Sequence, residues 1–334
     1  MRIGFSYDLK EAVGLKQAEL EDSLEEYDCA ETINLISSAL ETLGHSVVKL
    51  GGGREFLSNI LRENVDIVFN IAEGHGTYRS REAQVPSVLE MLGIPYTGSE
   101  PQCLAICLDK PLTKKLAESA GVRTPKWQTI ANSRELCEIS WDGFPFPAIV
   151  KPAHEGSSKG IRGNSLVHNS EQAIEMIVKL LECYRQPVMV EQFISGDEVT
   201  VGMVGNSPPK VLGMMRVLPR KREDYFVYSL EVKRDWKNLV DYECPACLEQ
   251  EVLDRILLSS VKAFEVLGCR DFARVDFRVG FDGIPYFIEI NPLPGLGDYS
   301  DLVIMALKLG WKYEELIGAI LSAALERYPL CVRG

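Results

Sequence analysis

The sequence predicts an α/β fold that passes into an α+β arrangement toward its carboxyl end. Three observations carry that reading. Short apolar runs alternate with amphipathic helical stretches from Arg2 to Gly98. Two strand-like runs, Phe272–Val279 and Pro285–Ile290, flank the turn Gly280-Phe281-Asp282-Gly283. A small-residue segment, Gly156-Ser157-Ser158-Lys159-Gly160, follows directly on an apolar strand. Alternating strands and helices build a parallel sheet. Two runs joined through Asp-Gly build a hairpin, because that dipeptide supplies the positive φ a tight turn needs.

The elements read as follows. Arg2–Ser6 is the first strand. Asp8–Asp28 is acidic, with Glu19, Glu21, Asp22, Glu25 and Glu26; it is either a solvated helix or mobile loop, or a segment facing substrate. Tyr27–Leu43 is an amphipathic helix closed by Gly44. Val47–Leu50 and Asp66–Asn70 are strands around a helix at Glu55–Glu63. Arg81–Leu92 is helical with a proline near its start. Gly93–Gly98 ends it at a domain boundary. Asp109–Ala120 is a helix, Pro145–Lys151 a strand and Glu171–Tyr184 a helix. Pro187–Gln192 and Val199–Gly205 are strands, and Gly205–Pro209 a turn. Val217–Tyr242 is long, charged and aromatic, and contains a moving loop. Leu248–Leu267 is a helix that leads into the hairpin. Helices at Leu302–Leu307 and Tyr313–Tyr328 close the chain. There is no internal repeat.

Composition narrows the function. The chain has 334 residues, 46% hydrophobic and 25% charged, with net charge −12. That is an ordinary soluble profile. There is no basic stripe, so a nucleic-acid backbone is not an expected partner. The basic run Arg216–Arg222 reads as a solvated loop or a phosphate contact. The start lacks a signal peptide's apolar region, and no run reaches the ~18 apolar residues of a membrane span. A cytoplasmic location is the expectation, with the nine cysteines as reduced thiols. Cys244 and Cys247 have CxxC spacing, but without a second pair this reads as coincidence rather than a zinc or redox site.

Three segments carry chemistry. On the hairpin, Arg274, Asp276 and Arg278 share one face and Val275 and Phe277 the other. On the second strand, Phe287, Glu289 and Asn291 oppose Tyr286, Ile288 and Ile290. If the polar faces coincide, Asp276, Glu289 and Asn291 converge beside Arg274, a set of oxygen ligands suited to Mg²⁺ shared with a phosphate. Otherwise the acids face water and pair with Arg274 or Arg278. The loop Asn291–Gly297 (NPLPGLG) is rigid and offers bare N–H groups. Lys151–Ile161 (KPAHEGSSKGI) can wrap phosphate oxygens, with Lys151 as a point charge. Walker A and GxGxxG patterns are absent, so ATP would need another architecture. In Val190–Gly202 (VEQFISGDEVTVG), Glu191 could accept from an adenine amino group and Glu198 from ribose hydroxyls, with Phe193 and Ile194 flanking the base. An ordinary edge-strand turn reads the same way.

The order of these segments is specific: Lys110 on a helix, Lys151 with its loop, two glutamates, then the hairpin acids. In that order, with Ala273–Phe277 (ARVDF) and Phe287–Gly295 (FIEINPLPG), the chain resembles ATP-grasp enzymes of the D-alanine–D-alanine ligase family from Asp66 to Ser300. The resemblance implies an ATP-grasp fold behind an N-terminal Rossmann-like pre-ATP-grasp domain. The domains would be 1–98, a central subdomain 99–187 and a C-terminal subdomain 188–334. It also implies roles. Lys110 and Lys151 hold ATP phosphates, and Ser157 and Ser158 lie in the covering loop near the substrates. Glu191, Ile194 and Glu198 hold adenosine. Asp276, Glu289 and Asn291 ligate two Mg²⁺ ions, for which Mn²⁺ can substitute. Arg274 and the Gly295 N–H stabilise an oxyanion, and Ser300 with Tyr299 binds the second substrate's carboxylate. Small amino-acid substrates and a homodimer belong to the same expectation, with the segment Asp224–Trp236 as the lid.

The chain departs from the family on the substrate side. Ser6-Tyr7-Asp8 and the acidic insertion stand where a glycine/serine turn and glutamate bind the first ammonium. Glu73 stands at a histidine's place in Ile71–Gly76 (IAEGHG). The lid's usual Lys-Tyr pair has Glu231-Val232 as its nearest equivalent, with Lys233 following. The expectation is an ATP-dependent carboxylate–amine ligase whose first substrate need not be D-alanine. A true D-alanine–D-alanine ligase of peptidoglycan synthesis is the alternative. A non-catalytic nucleotide-binding module is a third, which retention of Arg274 argues against.

Overall fold

A computed structural model describes residues 1–17, 20–221 and 224–329. Glu19 and Arg222, singled out above, lie outside them.

The amino-terminal part alternates as expected: β1 (Arg2–Ser6), α1 (Lys10–Gln17), α2 (Ala30–Thr42), β2 (Ser46–Gly51), α3 (Gly53–Ile60) and β3 (Ile67–Asn70). The three strands pair in parallel in the order β2-β1-β3. β3 is buried along its whole length, which is why it reads as an unbroken apolar run. α2 starts at Ala30 rather than at Tyr27. Leu9 bridges Asp28, and Lys10 N donates to the Asp28 carbonyl at 3.0 Å, so residues 8–28 form a closed excursion with an extended end. α4 (Gln84–Leu92), α5 (Pro101–Leu108) and α6 (Lys110–Ser119) follow. Asp109 caps α6 by accepting from Leu112 N at 3.1 Å.

The second sheet holds β4 (Trp127–Ile130), β5 (Ala148–Pro152), β6 (Leu166–Val167) and β7 (Val188–Gln192), with α7 (Ser170–Tyr184) packed on it. Its order is β4-β7-β5-β6, all antiparallel. The remaining elements are β8 (Gly196–Val204), β9 (Lys210–Pro219), α8 (Leu230–Arg234), α9 (Trp236–Leu239), β10 (Val240–Glu243), α10 (Gln250–Val266), β11 (Phe272–Gly280), β12 (Pro285–Asn291), α11 (Asp301–Lys308) and α12 (Tyr313–Arg327). The third sheet is antiparallel, in the order β10-β9-β8-β11-β12. α11 and α12 return to the first sheet, where Leu316, Ile317 and Ile320 share a core with Ile3, Phe5 and Ile67.

Two expectations are corrected. Arg216 is not in a loop: it lies on β9 and is held by Asp197 at 2.9 Å and Glu243 at 3.0 Å. β9 was hidden because its apolar run contains Gly213 and shows no clean alternation. The second correction is the face of Phe287. A bulge between Asp276 and Phe277 pairs Asp276 with Glu289 but Phe277 with Phe287. Phe287 therefore turns into the core against Phe277, with ring centroids 6.0 Å apart, and Ile288 joins Glu289 on the open side.

Candidate active site

Between the second and third sheets lies a cavity walled by Ile149 and Lys151 from β5, Glu191 from β7, Glu198 from β8, and Asp276 and Glu289 from the hairpin. At one end Lys151 Nζ is 2.6 Å from Glu191 Oε2, and Lys114 Nζ holds the other oxygen. Lys114 is 0% exposed, donates to the Phe287 carbonyl at 3.1 Å and lies 5.8 Å over the Phe287 ring. Burial pulls its ammonium down to about 8, against the opposing pull of Glu191. Burial alone would raise the Glu191 carboxyl; the two lysines hold it low. Lys114 went unnoticed in the sequence, although its four-residue spacing from Lys110 puts both on one face of α6. Glu198 is engaged by Arg278 at 3.0 Å, and Arg278 stacks 4.6 Å from the Phe193 ring and donates to the Ile194 carbonyl. An apolar slot between Phe193, Ile194 and Ile149 is thus braced by paired charges on both sides.

At the other end the hairpin acids converge. Asp276 sits directly opposite Glu289, and Arg274 opposite Asn291. Lys110 Nζ is 2.9 Å from Glu289 Oε2. Arg274 Nη2 is 2.9 Å from Asp276 and 3.9 Å from Glu289. Burial would raise the Glu289 carboxyl, yet Lys110, Lys151 and Arg274 hold it well below the usual range. Burial raises Asp276 despite Arg274. Asn291 Oδ1 accepts from Leu293 N at 2.9 Å, fixing the start of the NPLPGLG loop. Two carboxylates and an amide oxygen, with the protein's own cations already drawn to them, are a donor set that fits Mg²⁺. Lys233 corrects the lid alignment. Lys233 itself, not position 231 or 232, lines the cavity, and burial and Arg274 lower its pKa.

Over this site folds the loop after β5. Ser157 and Ser158 have φ of 50° and 57°, left-handed values that L-residues adopt at a cost of about 1–3 kcal/mol each. Ser158 lines the cavity; Ser157 is the preceding residue of the same turn. Gly160 has φ +75°, and a Cβ there would lie 2.5 Å from Pro152. The acidic insertion, read above chiefly as solvated, holds this loop in place. Asp22 is 1% exposed and accepts from Gly160 N at 2.9 Å and from the Tyr184 hydroxyl at 2.6 Å. Glu26 pairs with Lys159 at 2.9 Å and with buried Arg81 at 2.6 Å. Glu21 and Glu25 reach the lid through Arg234, at 2.6 and 2.7 Å. Insertion, loop and lid are one ionic cover.

Under that cover lie further buried acids. Arg81 serves Glu26 and Glu155, the latter at 3.2 Å. Among the described residues the side chains of Glu73 and Glu82 make no hydrogen bond or ion pair, although Glu82 is only 7% exposed. Burial first, then Glu82, Glu26 and Asp28, push Glu73 well above the ordinary carboxyl value. Burial, with Glu26 beside it, carries Glu82 to about 7 against the pull of Arg81, Lys110 and Lys159, and burial carries Asp28 to about 7 against Lys10. Glu82 also feels Lys110, the lysine paired with Glu289. On the far side, Ser300 stands at the N-cap position of α11 without a side-chain capping hydrogen bond, and its Oγ lies 2.9 Å from where a Cβ on Gly295 would stand. Tyr299 is half-exposed beside Thr32 and Asp28.

A cavity clasped by two antiparallel sheets, with lysines at the nucleotide end and acids on a hairpin, places the molecule among ATP-grasp enzymes. Comparison with known proteins narrows the class. A family model described as the D-ala D-ala ligase C-terminus matches residues 116–322. A D-alanine–D-alanine ligase of Aquifex aeolicus is 34% identical over 288 residues, covering 86% of this chain and 92% of that protein. An uncharacterised protein of Sinorhizobium fredii is equally similar, 34% over 302 residues, with 88% and 87% coverage. The D-alanine–D-alanine ligase of Bacillus anthracis, solved with ATP, aligns with a TM-score of 0.74 at 25% identity over 98% of both chains. The chain belongs to the D-alanine–D-alanine ligase family. It is an ATP-dependent ligase that forms amide bonds.

Proposed function

We propose that this enzyme phosphorylates the carboxylate of a first amino acid with ATP and joins the resulting acyl phosphate to a second amino acid. The first substrate's ammonium sits away from the α-position, or it carries a second one. The observation that carries the reaction is Glu289, set between Lys110 at 2.9 Å and Arg274 at 3.9 Å on the wall of the cavity. Lys110 and Lys151 neutralise the phosphates, Ser157 and Ser158 cover them, and Glu191, Ile194 and Glu198 frame the nucleoside. Asp276, Glu289 and Asn291 would hold Mg²⁺, or Mn²⁺ in its place, which supplies charge neutralisation and polarisation of the phosphoryl group. A carboxylate is a poor electrophile until its oxygen becomes part of a leaving group. Once it is, Arg274 and the Gly295 N–H would hold the oxygen on which negative charge grows. The lid residues around Lys233 keep water from the acyl phosphate.

The first-substrate reading rests on Glu73, Glu82 and Asp28, neighbouring carboxyls that burial holds above their ordinary values. Buried carboxylates in that state favour a cation brought by a ligand. Ser300 and Tyr299 would take the second substrate's carboxylate at the start of α11. As in the family it resembles, the enzyme would act as a homodimer in the cytoplasm on free amino acids; among the described residues no helix is long and apolar enough to cross a membrane.

A panel of D- and L-amino acids, β-alanine and diamino acids, tested in pairs by phosphate release, checks the reading. The expected result is a first substrate of the β-amino or diamino kind preferred over D-alanine. A strong preference for D-alanine at both positions would instead make this a peptidoglycan-precursor ligase.

A further inference from the structure

Asp301 opens α11, is 8% exposed and lines the cavity with Arg274, Lys233 and Glu289. Its carboxylate lies 3.4 Å from Arg274 Nη1, while Arg274 Nη2 faces Asp276 and Glu289. The guanidinium thus divides the site. Asp276 and Glu289 lie on its Nη2 side, and Asp301 lies on its Nη1 side. The other charged or titratable groups facing Asp301 are Lys233 on α8, Asp276 on β11, Tyr228 ahead of α8 and Tyr242 on β10. The two tyrosine hydroxyls bond each other at 2.7 Å, and burial raises both above their ordinary value, so neither supplies a charge.

Resting on the reaction proposed above, we infer that Asp301 is the receiving group for the amine donor. It holds the incoming ammonium and takes its proton. The geometry requires an amine on this side. The acyl oxygen rests on Arg274, the phosphate lies toward Asp276 and Glu289, and the nucleophile approaches from the remaining side. The ammonium gives one proton to an Asp301 carboxylate oxygen. The freed nitrogen lone pair forms the C–N bond, and the carbonyl π pair moves onto the oxygen beside Arg274. As that oxyanion collapses, the C–O bond to phosphate breaks and phosphate leaves with the pair. The second nitrogen proton departs with it, leaving a neutral amide. With Ser300 next to Asp301 in the chain, one helix start offers a place for both ends of a zwitterion, carboxylate to the hydroxyl and ammonium to the carboxylate.

The test compares two nucleophiles on Asp301→Asn, using the acid and amino-acid donor that score highest in the panel, with ATP and Mg²⁺. Hydroxylamine, largely uncharged at neutral pH, captures the acyl phosphate without needing a base. In D301N, amide formation with the amino acid falls about 10²-fold or more, the scale of general base catalysis, while hydroxamate formation stays near wild type. The amide deficit shrinks as pH rises toward the donor's own pKa. Equal loss of both products would mean that Asp301 only positions Arg274, and an unchanged amide rate would mean that it does neither; both overturn the inference. If wild-type enzyme yields amide but no hydroxamate with any acid of the panel, the acyl-phosphate reading itself fails, and this role with it.

Discussion

Glu289→Gln lowers the rate of ATP-dependent amide formation by about 10³-fold or more, because a metal-held phosphoryl group contributes several kcal/mol and each 1.36 kcal/mol is a factor of ten. The substitution keeps the shape of the side chain and the bulge that presents it. What it removes is the negative charge to which Lys110, Lys151 and Arg274 are all drawn. This gives the prediction a second face. Without Mg²⁺, those cations are left with less to balance them, so the variant should bind ATP at least as tightly as wild type. Calorimetric titration with and without Mg²⁺ checks this. Weaker metal-free binding in E289Q would show that Glu289 supports the fold rather than the ion.

Arg274→Lys should lower kcat by about 10²–10³-fold, the usual loss for one donor to a developing oxyanion. Charge is kept, so the cause would be geometry. Arg274 uses one nitrogen toward Asp276 and the other toward Asp301, 2.9 and 3.4 Å away. A single ammonium cannot serve both directions at once. The KM for ATP should hardly move, because in the proposed binding mode the nucleoside would be framed by Glu191, Glu198 and Phe193, cavity residues which the change does not touch. Steady-state kinetics separate the two parameters. A change confined to KM would contradict an oxyanion role.

The chemistry-bearing ends of the site were legible because each is local. Lys151 with its glycine/serine turn, Glu191 to Glu198, and Asp276 with Glu289 each lie within one strand or hairpin, where side-chain period and turn residues speak directly. The bulge was not legible: a one-residue slip at Ile288 leaves no composition signal, yet it moves Phe287 from the cavity to the core. Residues that join distant parts were equally silent. Asp22 bonds Gly160 across 138 positions, and Arg81 meets Glu155 across 74. Nothing in a run of acids tells which one will be buried against a loop that far along the chain. The sequence marked Glu73 as a departure; that burial, Glu82, Glu26 and Asp28 raise its carboxyl became visible only in the fold.

The account stands on one transfer: the acid's own oxygen must take the terminal phosphoryl group of ATP. The acid that scores highest in the panel, labelled with ¹⁸O in its carboxylate, tests this when it is turned over with ATP, Mg²⁺ and the amine donor and the released phosphate is read by ³¹P NMR. The account predicts one ¹⁸O atom in each phosphate. Unlabelled phosphate, with all the label kept in the remaining acid and the amide, would contradict it.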